Sequence, residues 1–494
     1  MNSGEVAQKA RQGVAALGMR YVFNEGFGFV CSVLLARLLV PADFGIFAIC
    51  MAVCRIFRMA GTLGLGAAIV LRRNNPPSPE QLRSLFTLQM LFCGVVVVVF
   101  WFAAPLLPLY YKSLNESHVF LIRALALGFL LTTARTIPSS LLERDMAFKQ
   151  LAGVELAESV TSNVVAVLLA WAGLGVWGLA GAALVRWLVG LVVVYSMRPW
   201  IPGISFAWGG IRDMIRCGVS LQFSNALSVA RELLYPVFVG GICGPVALGY
   251  VTWARTLAAR PEALSEPYGR VALPMLVKLQ DDPEGLTRAL NKSIRLLAAF
   301  FLPLTGFMLG IGAAAIHCLY TDKWLPALPL FYYFCAIPAF VPLLIPLQRA
   351  VVAQGSARTI SRLAMVTAVF EWGVGIPCVL IFGYLGAAIA VPLVALLTTL
   401  VYIRELGRSV RLQVWKPMAL PLLHGLAAWM ATEFIARHVA TSIPTFLLAA
   451  TLGLAVTAAL TFVIQRYAAF EWISELRRAL SKGQLVKPQH AGAA

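Results

Sequence analysis

Long apolar stretches alternate with short polar ones along almost the whole chain. About 20 predominantly apolar residues cross a bilayer as a helix, so this pattern predicts fourteen membrane spans. They cover approximately residues 14–39, 43–71, 84–109, 118–141, 149–172, 175–197, 215–240, 245–269, 293–318, 325–348, 360–382, 385–403, 417–436 and 444–465. Very short connections, such as the turn at Pro41, alternate with longer polar ones, such as residues 72–83. The pattern therefore predicts an all-α polytopic membrane protein built from helical hairpins.

Composition agrees with that prediction and excludes several other classes of protein. Hydrophobic residues make up 60% of the 494 residues, charged residues only 13%, and the mean hydropathy is +0.81, well beyond ordinary globular usage. The N-terminal residues have no short apolar core followed by a small-residue cleavage site, so we expect no removed signal peptide. The nine cysteines lie mostly in apolar runs and the five histidines are scattered. We therefore expect neither a metal site nor a cofactor.

Basic residues divide unevenly between the two sides of the predicted spans. If both termini are cytoplasmic and basic residues within three positions of a cytoplasmic span end are counted with the adjoining segment, the cytoplasmic segments hold 27 of the 40 Lys and Arg residues, and the rest of the spans hold ten. The opposite loops hold only Lys112, Lys323 and Arg437. Because Lys and Arg are retained on the cytoplasmic side, we expect a multi-pass protein with both termini in the cytoplasm. The net charge of +18 is then explained by topology and anionic lipid headgroups rather than by nucleic-acid binding.

The ten arginines inside the spans are the clearest sign of function. If all faced lipid, they would cost about 25–35 kcal/mol, at ~2.5–3.5 kcal/mol each. Arg37, Arg123 and Arg186 lie near span ends and can extend toward the headgroups. The others are expected to face the protein interior or a watery cavity. Helical spacing gathers them with acids and small polar residues on single faces of spans 1, 2, 5, 7 and 8.

An internal repeat accounts for this distribution. LVPADFGIFAI (39–49) can be laid over CGPVALGYVTW (243–253) with one offset of 204 residues, which matches Pro41 to Pro245 and Gly45 to Gly249. Six spans separate the two copies, so both have the same orientation in the membrane. The repeat predicts two parallel six-helix lobes around a central polar cavity, an architecture typical of transporters.

The repeat sets the predicted domain boundaries and the role of the first hairpin. Pro41 is expected to fix the exit from span 1 and Asp43 to cap the next helix. Its repeat counterpart is the uncharged Ala247, which leaves a gating or ion role open for Asp43. The predicted units are an N-terminal lobe (1–197), a cytoplasmic linker (198–214), a C-terminal lobe (215–405), two additional spans (406–466) and a cytoplasmic tail (467–494).

Several stretches resemble the Wzx-type polysaccharide or O-antigen flippases. This family belongs to the superfamily that includes the multidrug MATE exporters and the flippases of the peptidoglycan lipid precursor. The resemblance covers roughly residues 13–410 and is carried by RYVFNEGFGFVCSVLLARLLVPADFGIFAICMAVCRIFRMAGTLGLGAAIVLRR (20–73), LLERDMAF (141–148), GLGVWGLAGAAL (173–184) and GPVALGYVTWARTLAARPEALSEPYGRVALPML (244–276). It implies transport of an undecaprenyl-pyrophosphate-linked oligosaccharide across the bacterial inner membrane by alternating access, for surface or exopolysaccharide biosynthesis. Partners would be the lipid-linked substrate, the bilayer and polysaccharide polymerase or export machinery.

The resemblance also suggests roles for the charged residues. Arginine suits a pyrophosphate because it forms bidentate charge-assisted hydrogen bonds. The residues that match the cavity of the related precursor flippases by span and face are Arg20, Arg55 or Arg58, and Arg255. Arg231 on span 7 and Asn24, one turn from Arg20, are added to the predicted cavity. Acids that could pair with these arginines in one conformation and release them in another are Glu25, Glu155, Glu158, Glu232, Glu262 and Glu266.

Two alternative functions place the chain in other classes of membrane protein. A membrane enzyme such as a polymerase or ligase is expected to carry a large periplasmic loop with catalytic groups, and every predicted periplasmic loop here is short. A MATE-like multidrug or cation antiporter is the closer alternative. Such exporters usually have twelve spans and cavity acids suited to cations, whereas this chain has fourteen predicted spans and an arginine-rich interior. We therefore favour a flippase over an enzyme or a cation exporter.

Overall fold

The computed structural model describes residues 24–61, 64–71, 77–207, 211–216, 218, 229–355, 357–407, 410 and 412–481, and within them the regular structure is helical. We call residues 24–207 the N-terminal half and residues 229–406 the C-terminal half. The N-terminal half contains α1 (Asn24–Leu38), α2 (Pro41–Gly61), α3 (Leu65–Leu71), α4 (Pro79–Ala103), α5 (Glu116–Ala134), α6 (Thr136–Arg144), α7 (Phe148–Trp171) and α8 (Val176–Met197). Short helical turns extend α4 to Tyr110.

The C-terminal half begins with a wide, π-helical segment, Tyr235–Cys243, and a tight 3₁₀ turn, Arg260–Ser265, follows its first α-helix. Its helices are α9 (Gly244–Ala259), α10 (Glu266–Lys278), α11 (Pro283–Ala315), α12 (Leu328–Phe334), α13 (Ala336–Ala353), α14 (Ala357–Phe382) and α15 (Tyr384–Leu406). Two further helices follow this half, α16 (Trp415–Val439) and α17 (Ile443–Ser481).

Eleven helices in the described ranges are long and apolar enough to cross a membrane, or up to twelve if the bent pair α1 and α2 counts as one span. The protein is therefore a multi-pass helical membrane protein, but the predicted count of fourteen is not confirmed. One difference is that residues 229–265 form a single helical stretch where two spans are predicted. Within it Gly244 has a φ of 85°, which interrupts the helix and which glycine adopts without strain. Predicted span residues 14–23 and 219–228 lie outside the described residues.

Local signals place the helix starts where the sequence indicates them. Ser78 accepts a hydrogen bond from the backbone N–H of Gln81, and the Gln81 side chain accepts one from the Ser78 backbone, so a complete capping box begins α4. At α2, the Asp43 carboxylate accepts a hydrogen bond of 3.1 Å from the backbone N–H of Val40. Asp43 thus lies in the first turn of α2, two residues after its start, and its carboxylate accepts from the residue before the helix rather than being the N-cap itself. Its gating role stays a prediction.

The two copies of the repeated motif lie directly against each other where α2 packs on α9. A Cβ atom on Gly45 would lie 1.7 Å from the carbonyl oxygen of Pro245, and one on Gly249 would lie 1.9 Å from that of Pro41. Ordinary van der Waals contacts of a Cβ atom are 3.4–4 Å, so only glycine permits this approach at either position. We call this contact the crossing, and the end of the molecule where it lies the crossing end.

Helix α16 packs on α11 through small residues. A Cβ on Gly306 would lie 2.0 Å from the carbonyl oxygen of Gly425, and a Cβ on Gly425 would lie 2.8 Å from that of Leu302. Gly310, one helical turn beyond Gly306, approaches the backbone of Trp429 equally closely. This small-xxx-small spacing allows two membrane helices to approach along their backbones. These close contacts join α16, which follows the C-terminal half, to α11, which contains the ninth predicted span.

Candidate functional site

A cavity of about 480 Å³ lies between the two halves. Residues of α1, α2 and α8 line it from the N-terminal half, and residues 232–236, α9 and Tyr320 line it from the C-terminal half. Its charged lining residues are Arg55, Glu232, Arg255 and Arg260. The cavity therefore concentrates guanidinium groups at the interface between the halves, as the predicted polar faces of spans 2, 7 and 8 indicate.

Among the described residues, two ion pairs cross this interface. Arg55 on α2 pairs with Glu232, which precedes the π-helical segment of the C-terminal half. Arg260, at the end of α9, lies 3.6 Å from the carboxylate of Glu25 on α1. Its guanidinium also donates a 3.3 Å hydrogen bond to the hydroxyl of Ser32 and stands over the ring of Phe29. Each half thus contributes one arginine and one glutamate.

Arg255 lines the same cavity and has different surroundings. Its guanidinium stands 5.0 Å from the centre of the Tyr235 ring, and its Nε atom has no hydrogen-bond partner among the described residues. A cation over an aromatic face is attracted by the ring quadrupole, so Tyr235 positions this charge. Arg255 is a candidate for direct contact with an anionic ligand.

A second cavity, of about 210 Å³, lies within the C-terminal half. Arg231 and Glu371 pair there between the start of the half and α14. Glu262 also lines it, together with the buried hydroxyl of Thr398, which has no hydrogen-bond partner in the described part of the chain. Arg255 and Tyr235 line both cavities. The predicted cavity residue Arg231 and the predicted pairing acid Glu262 therefore line this second space rather than the central one.

A third group of charges is internal to the N-terminal half. The buried carboxylate of Glu158 pairs with Arg135, and its second oxygen lies 3.5 Å from Arg186. The Glu158 side chain is only 5% exposed. Arg186, which the sequence assigns to the headgroup region, thus contacts a buried acid on α7. These contacts tie α5, α7 and α8 together and do not reach the other half.

The remaining predicted site residues have less defined surroundings. Arg20 lies outside the described residues. The Asn24 side-chain oxygen is buried and lacks a partner in the described ranges. Arg58 and Glu155 are exposed, and none of the ion pairs within the described part of the chain involves them. Glu266 is exposed at the start of α10 and lines neither cavity.

The two halves also join at the crossing end through side-chain donors and backbone acceptors. Arg37, which the sequence assigns to the headgroups, instead donates to the carbonyl oxygens of Leu319 and Cys318 at 2.6 and 2.7 Å. Lys323 donates back to the carbonyl oxygen of Arg37 at 2.7 Å, and Trp324 donates to that of Ala36 at 2.9 Å. The end of α1 is therefore bound to the segment that follows α11.

A second set of hydrogen bonds joins the two halves, and its donors are tyrosine hydroxyls rather than Arg, Lys and Trp side chains. The hydroxyls of Tyr110 and Tyr111, at the end of α4, donate to the carbonyl oxygens of Val237 and Pro236. These acceptors lie in the π-helical segment, and π-bulges are frequent at functional sites. The end of α4 is thus bound to the π-helical segment of the other half.

Sequence reasoning did not select Arg260, Glu371 or Arg135 for the site. Arg260 and Arg135 are among the ten intramembrane arginines, and Glu371 is an isolated acid, but their partners lie far away along the chain. The available signal was the desolvation cost of each charge, which predicts that a partner exists. It does not identify that partner.

Comparison with known proteins identifies the family of this chain. Residues 34–329, more than half of the chain, match the family model described as polysaccharide biosynthesis protein. The chain belongs to this family. The match confirms the resemblance to Wzx-type exporters on which the sequence-based interpretation rests.

Similar curated proteins carry consistent names. The chain is 26% identical over 307 residues to the succinoglycan biosynthesis transport protein ExoT of Rhizobium meliloti, a match that covers 62% of this chain and 61% of that protein. It is 23% identical to the teichuronic acid biosynthesis protein TuaB of Bacillus subtilis, with 60% and 61% covered. The lipopolysaccharide biosynthesis protein WzxC of Escherichia coli is 22% identical, with 80% and 82% covered. The chain thus matches about three fifths of the length of the first two relatives.

Solved structures show the same fold. A lipid II flippase, MurJ, in an inward closed conformation superposes with a TM-score of 0.74 at 15% identity, covering 92% of this chain and 99% of that one. An inward-facing multidrug resistance MATE family transporter of the MOP superfamily gives 0.57 at 15% identity, with 78% and 95% covered. At these identities the likeness concerns the fold alone.

Proposed function

We propose that this chain is a flippase that moves an undecaprenyl-pyrophosphate-linked oligosaccharide from the cytoplasmic to the periplasmic leaflet of the bacterial inner membrane, and that it is not an enzyme. The observation that carries the proposal is the cavity between the halves, with Arg55, Arg255 and Arg260 on its walls. Family membership and the names of the relatives support the same class of cargo. Polysaccharide polymerase or export machinery would receive the oligosaccharide on the periplasmic side.

The chemistry of the cargo fits these walls. A pyrophosphate cannot enter hydrocarbon without counter-charges, and guanidinium groups match phosphate oxygens in a bidentate geometry. Phe44, Phe47 and Trp253 line the same cavity, and their apolar faces can pack against sugar rings or the first isoprene units. A cation exporter would need unpaired acids in this space, whereas Glu232 already pairs with Arg55.

The layout that we propose for transport is the one that the repeat indicates. Fourteen spans form two six-helix lobes (1–197 and 215–405) joined by a cytoplasmic linker, with two additional spans, and both termini are cytoplasmic. In this topology the crossing end faces the periplasm. Closure there by the crossing supports a state in which substrate enters from the cytoplasmic leaflet, and rocking of the lobes would open the crossing and release it.

Gene deletion with complementation tests the proposal. In a strain that makes its surface polysaccharide with this protein, loss of the gene is expected to trap lipid-linked oligosaccharide on the cytoplasmic leaflet. Arg55→Ala and Arg255→Ala are expected to restore little flipping, because each removes a cavity counter-charge. Arg288→Ala is the matched control, since Arg288 forms an exposed pair with Glu284 within α11, away from the cavity lining.

Two outcomes would contradict the proposal. Absence of accumulation in the deletion strain would remove the flippase function. Export of a cationic dye that requires the protein, without any change in surface polysaccharide, would instead support a MATE-like antiporter.

A further inference from the structure

The two ion pairs across the central cavity have the same connectivity. In each, an arginine on the second helix of one half pairs with a glutamate on the first helical segment of the other half: Arg55 with Glu232, and Arg260 with Glu25. The arginines are 205 residues apart and the glutamates 207, close to the repeat offset of 204. Each half thus contributes the arginine of one bridge and the glutamate of the other. We call these two contacts the paired bridges.

The paired bridges differ from the internal charge cluster in exposure. Side chains of Arg55 and Glu232 are 39% and 50% exposed, and those of Arg260 and Glu25 are 26% and 42% exposed, against 5% for Glu158. Exposed ion pairs of this kind change an equilibrium constant by at most about fivefold each. Ligand oxygens can reach Arg55 and Arg260 from the cavity that they line, whereas the Glu158 carboxylate is buried.

We propose that the pyrophosphate of the substrate replaces both glutamates of the paired bridges, and that this exchange releases the two halves from each other. The inference rests on the proposed function and assigns Arg260, Glu25 and Glu232 their parts in it. Both arginines line the cavity, so the phosphate groups of a bound pyrophosphate can compete with the two glutamates for them. Binding through a single phosphate would leave the other bridge closed.

Arg255 provides the first contact in this sequence. It lines the cavity and forms no ion pair with a carboxylate in the described ranges, so an anion binds it without displacing a carboxylate. Once phosphate oxygens reach Arg55 and Arg260, Glu25 and Glu232 lose their counter-charges beside a polyanion. Repulsion between like charges then favours separation of the halves. After release of the substrate the bridges re-form, so the empty protein returns to the bridged state.

Binding measurements on the full chain in lipid nanodiscs test the exchange, with inorganic pyrophosphate as the probe. Glu25→Gln and Glu232→Gln are each expected to tighten pyrophosphate binding by about two- to fivefold, because a competing carboxylate is removed. Arg255→Ala is expected to weaken binding at least tenfold. Glu284→Gln is the control, since it removes the acid of an exposed Arg–Glu pair that does not line the cavity.

A distance measurement then tests the release of the halves. Spin labels at positions 148 and 275, which are exposed on α7 and α10, report the separation between the halves. Pyrophosphate is expected to shift their distance distribution in the native protein. The Glu25→Gln and Glu232→Gln double variant is expected to show the shifted distribution without ligand.

A charge-swapped variant, Arg55→Glu with Glu232→Arg, distinguishes a purely structural role of this ion pair from a role of Arg55 in binding the ligand. It keeps an ion pair across the halves but moves the guanidinium to the other wall. If the bridge is purely structural, this variant binds pyrophosphate and flips substrate as the native protein does, which would overturn the exchange. Unchanged affinity and unchanged distances in the double glutamine variant would also overturn it, while loss of flipping in Arg255→Ala would still support the flippase itself.

Discussion

Adding one methyl group at the crossing should open the end of the molecule that is closed in this structure. In Gly45→Ala the new Cβ would lie 1.7 Å from the carbonyl oxygen of Pro245, against an ordinary contact of at least 3.4 Å. The helices α2 and α9 must therefore separate by roughly 1.5–2 Å at this point. Gly249→Ala is expected to act in the same way, because its Cβ would lie 1.9 Å from the carbonyl oxygen of Pro41.

The same separation would affect the hydrogen bonds beside the crossing. Bonds from Lys323 and Trp324 to the end of α1 measure 2.7 and 2.9 Å, and lengthening by more than about 1 Å takes them beyond hydrogen-bond distance. Overpacking of this kind typically costs about 1–3 kcal/mol. The closed conformation should therefore lose roughly five- to 150-fold in population relative to the open one.

Thiol accessibility measures that shift. Thr252 lines the cavity on α9, so a cysteine introduced there, in a background without the native cysteines, reports access from the crossing end. A membrane-impermeant maleimide added to intact cells should label Thr252→Cys slowly in the native protein and much faster with Gly45→Ala. Gly94→Ala is the control, because a Cβ at Gly94 meets nothing within 4 Å. Equal labelling with Gly45→Ala and Gly94→Ala would refute the role of the crossing as a gate.

Three further predictions concern the cavity, the buried charges and the additional helices. Met51 lines the cavity at the position that the repeat matches to Arg255, so Met51→Arg should restore part of the flipping lost in Arg255→Met, measured as surface polysaccharide in the deletion strain. Glu158→Gln should lower the free energy of unfolding by about 3 kcal/mol, because it leaves Arg135 without its buried partner; thermal unfolding of the purified protein measures this. Gly425→Leu should detach α16 from α11 and make it sensitive to protease, while the cavity keeps its pyrophosphate affinity.

Local signals explain why much of the fold could be predicted from the sequence. The start of α2 follows from Pro41 and Asp43, because a fixed φ and a first-turn carboxylate act within one turn. The equivalence of Gly45 and Gly249 follows from the repeat, because only glycine permits two helices to approach so closely. A helix cap depends on a few neighbouring residues, and the repeat is a spacing of Pro and Gly that occurs twice. Both signals can be found in a single sequence.

The pairing of charges could not be predicted in the same way. Helical spacing assigned Arg255, Glu262 and Glu266 to one face of a straight helix. The structure instead contains a 3₁₀ turn at Arg260–Ser265, where successive residues rotate by about 120° rather than 100°. Arg255 therefore lines both cavities, Glu262 only the second, and Glu266 neither. The break also directs Arg260 toward α1, where no local pattern indicates its contact with Glu25.

Positions that obey the repeat and positions that break it have separable roles. Matched residues, such as Gly45 with Gly249 and the two prolines of the crossing, fix how the halves approach each other. Unmatched residues carry the charge: Arg255 stands where the first copy has Met51, and Glu262 stands where it has Arg58. Arg255 is therefore a cavity guanidinium that the repeat does not supply to the first half. The departures from the repeat, rather than the repeat itself, are therefore where specificity for the cargo should be sought in this family.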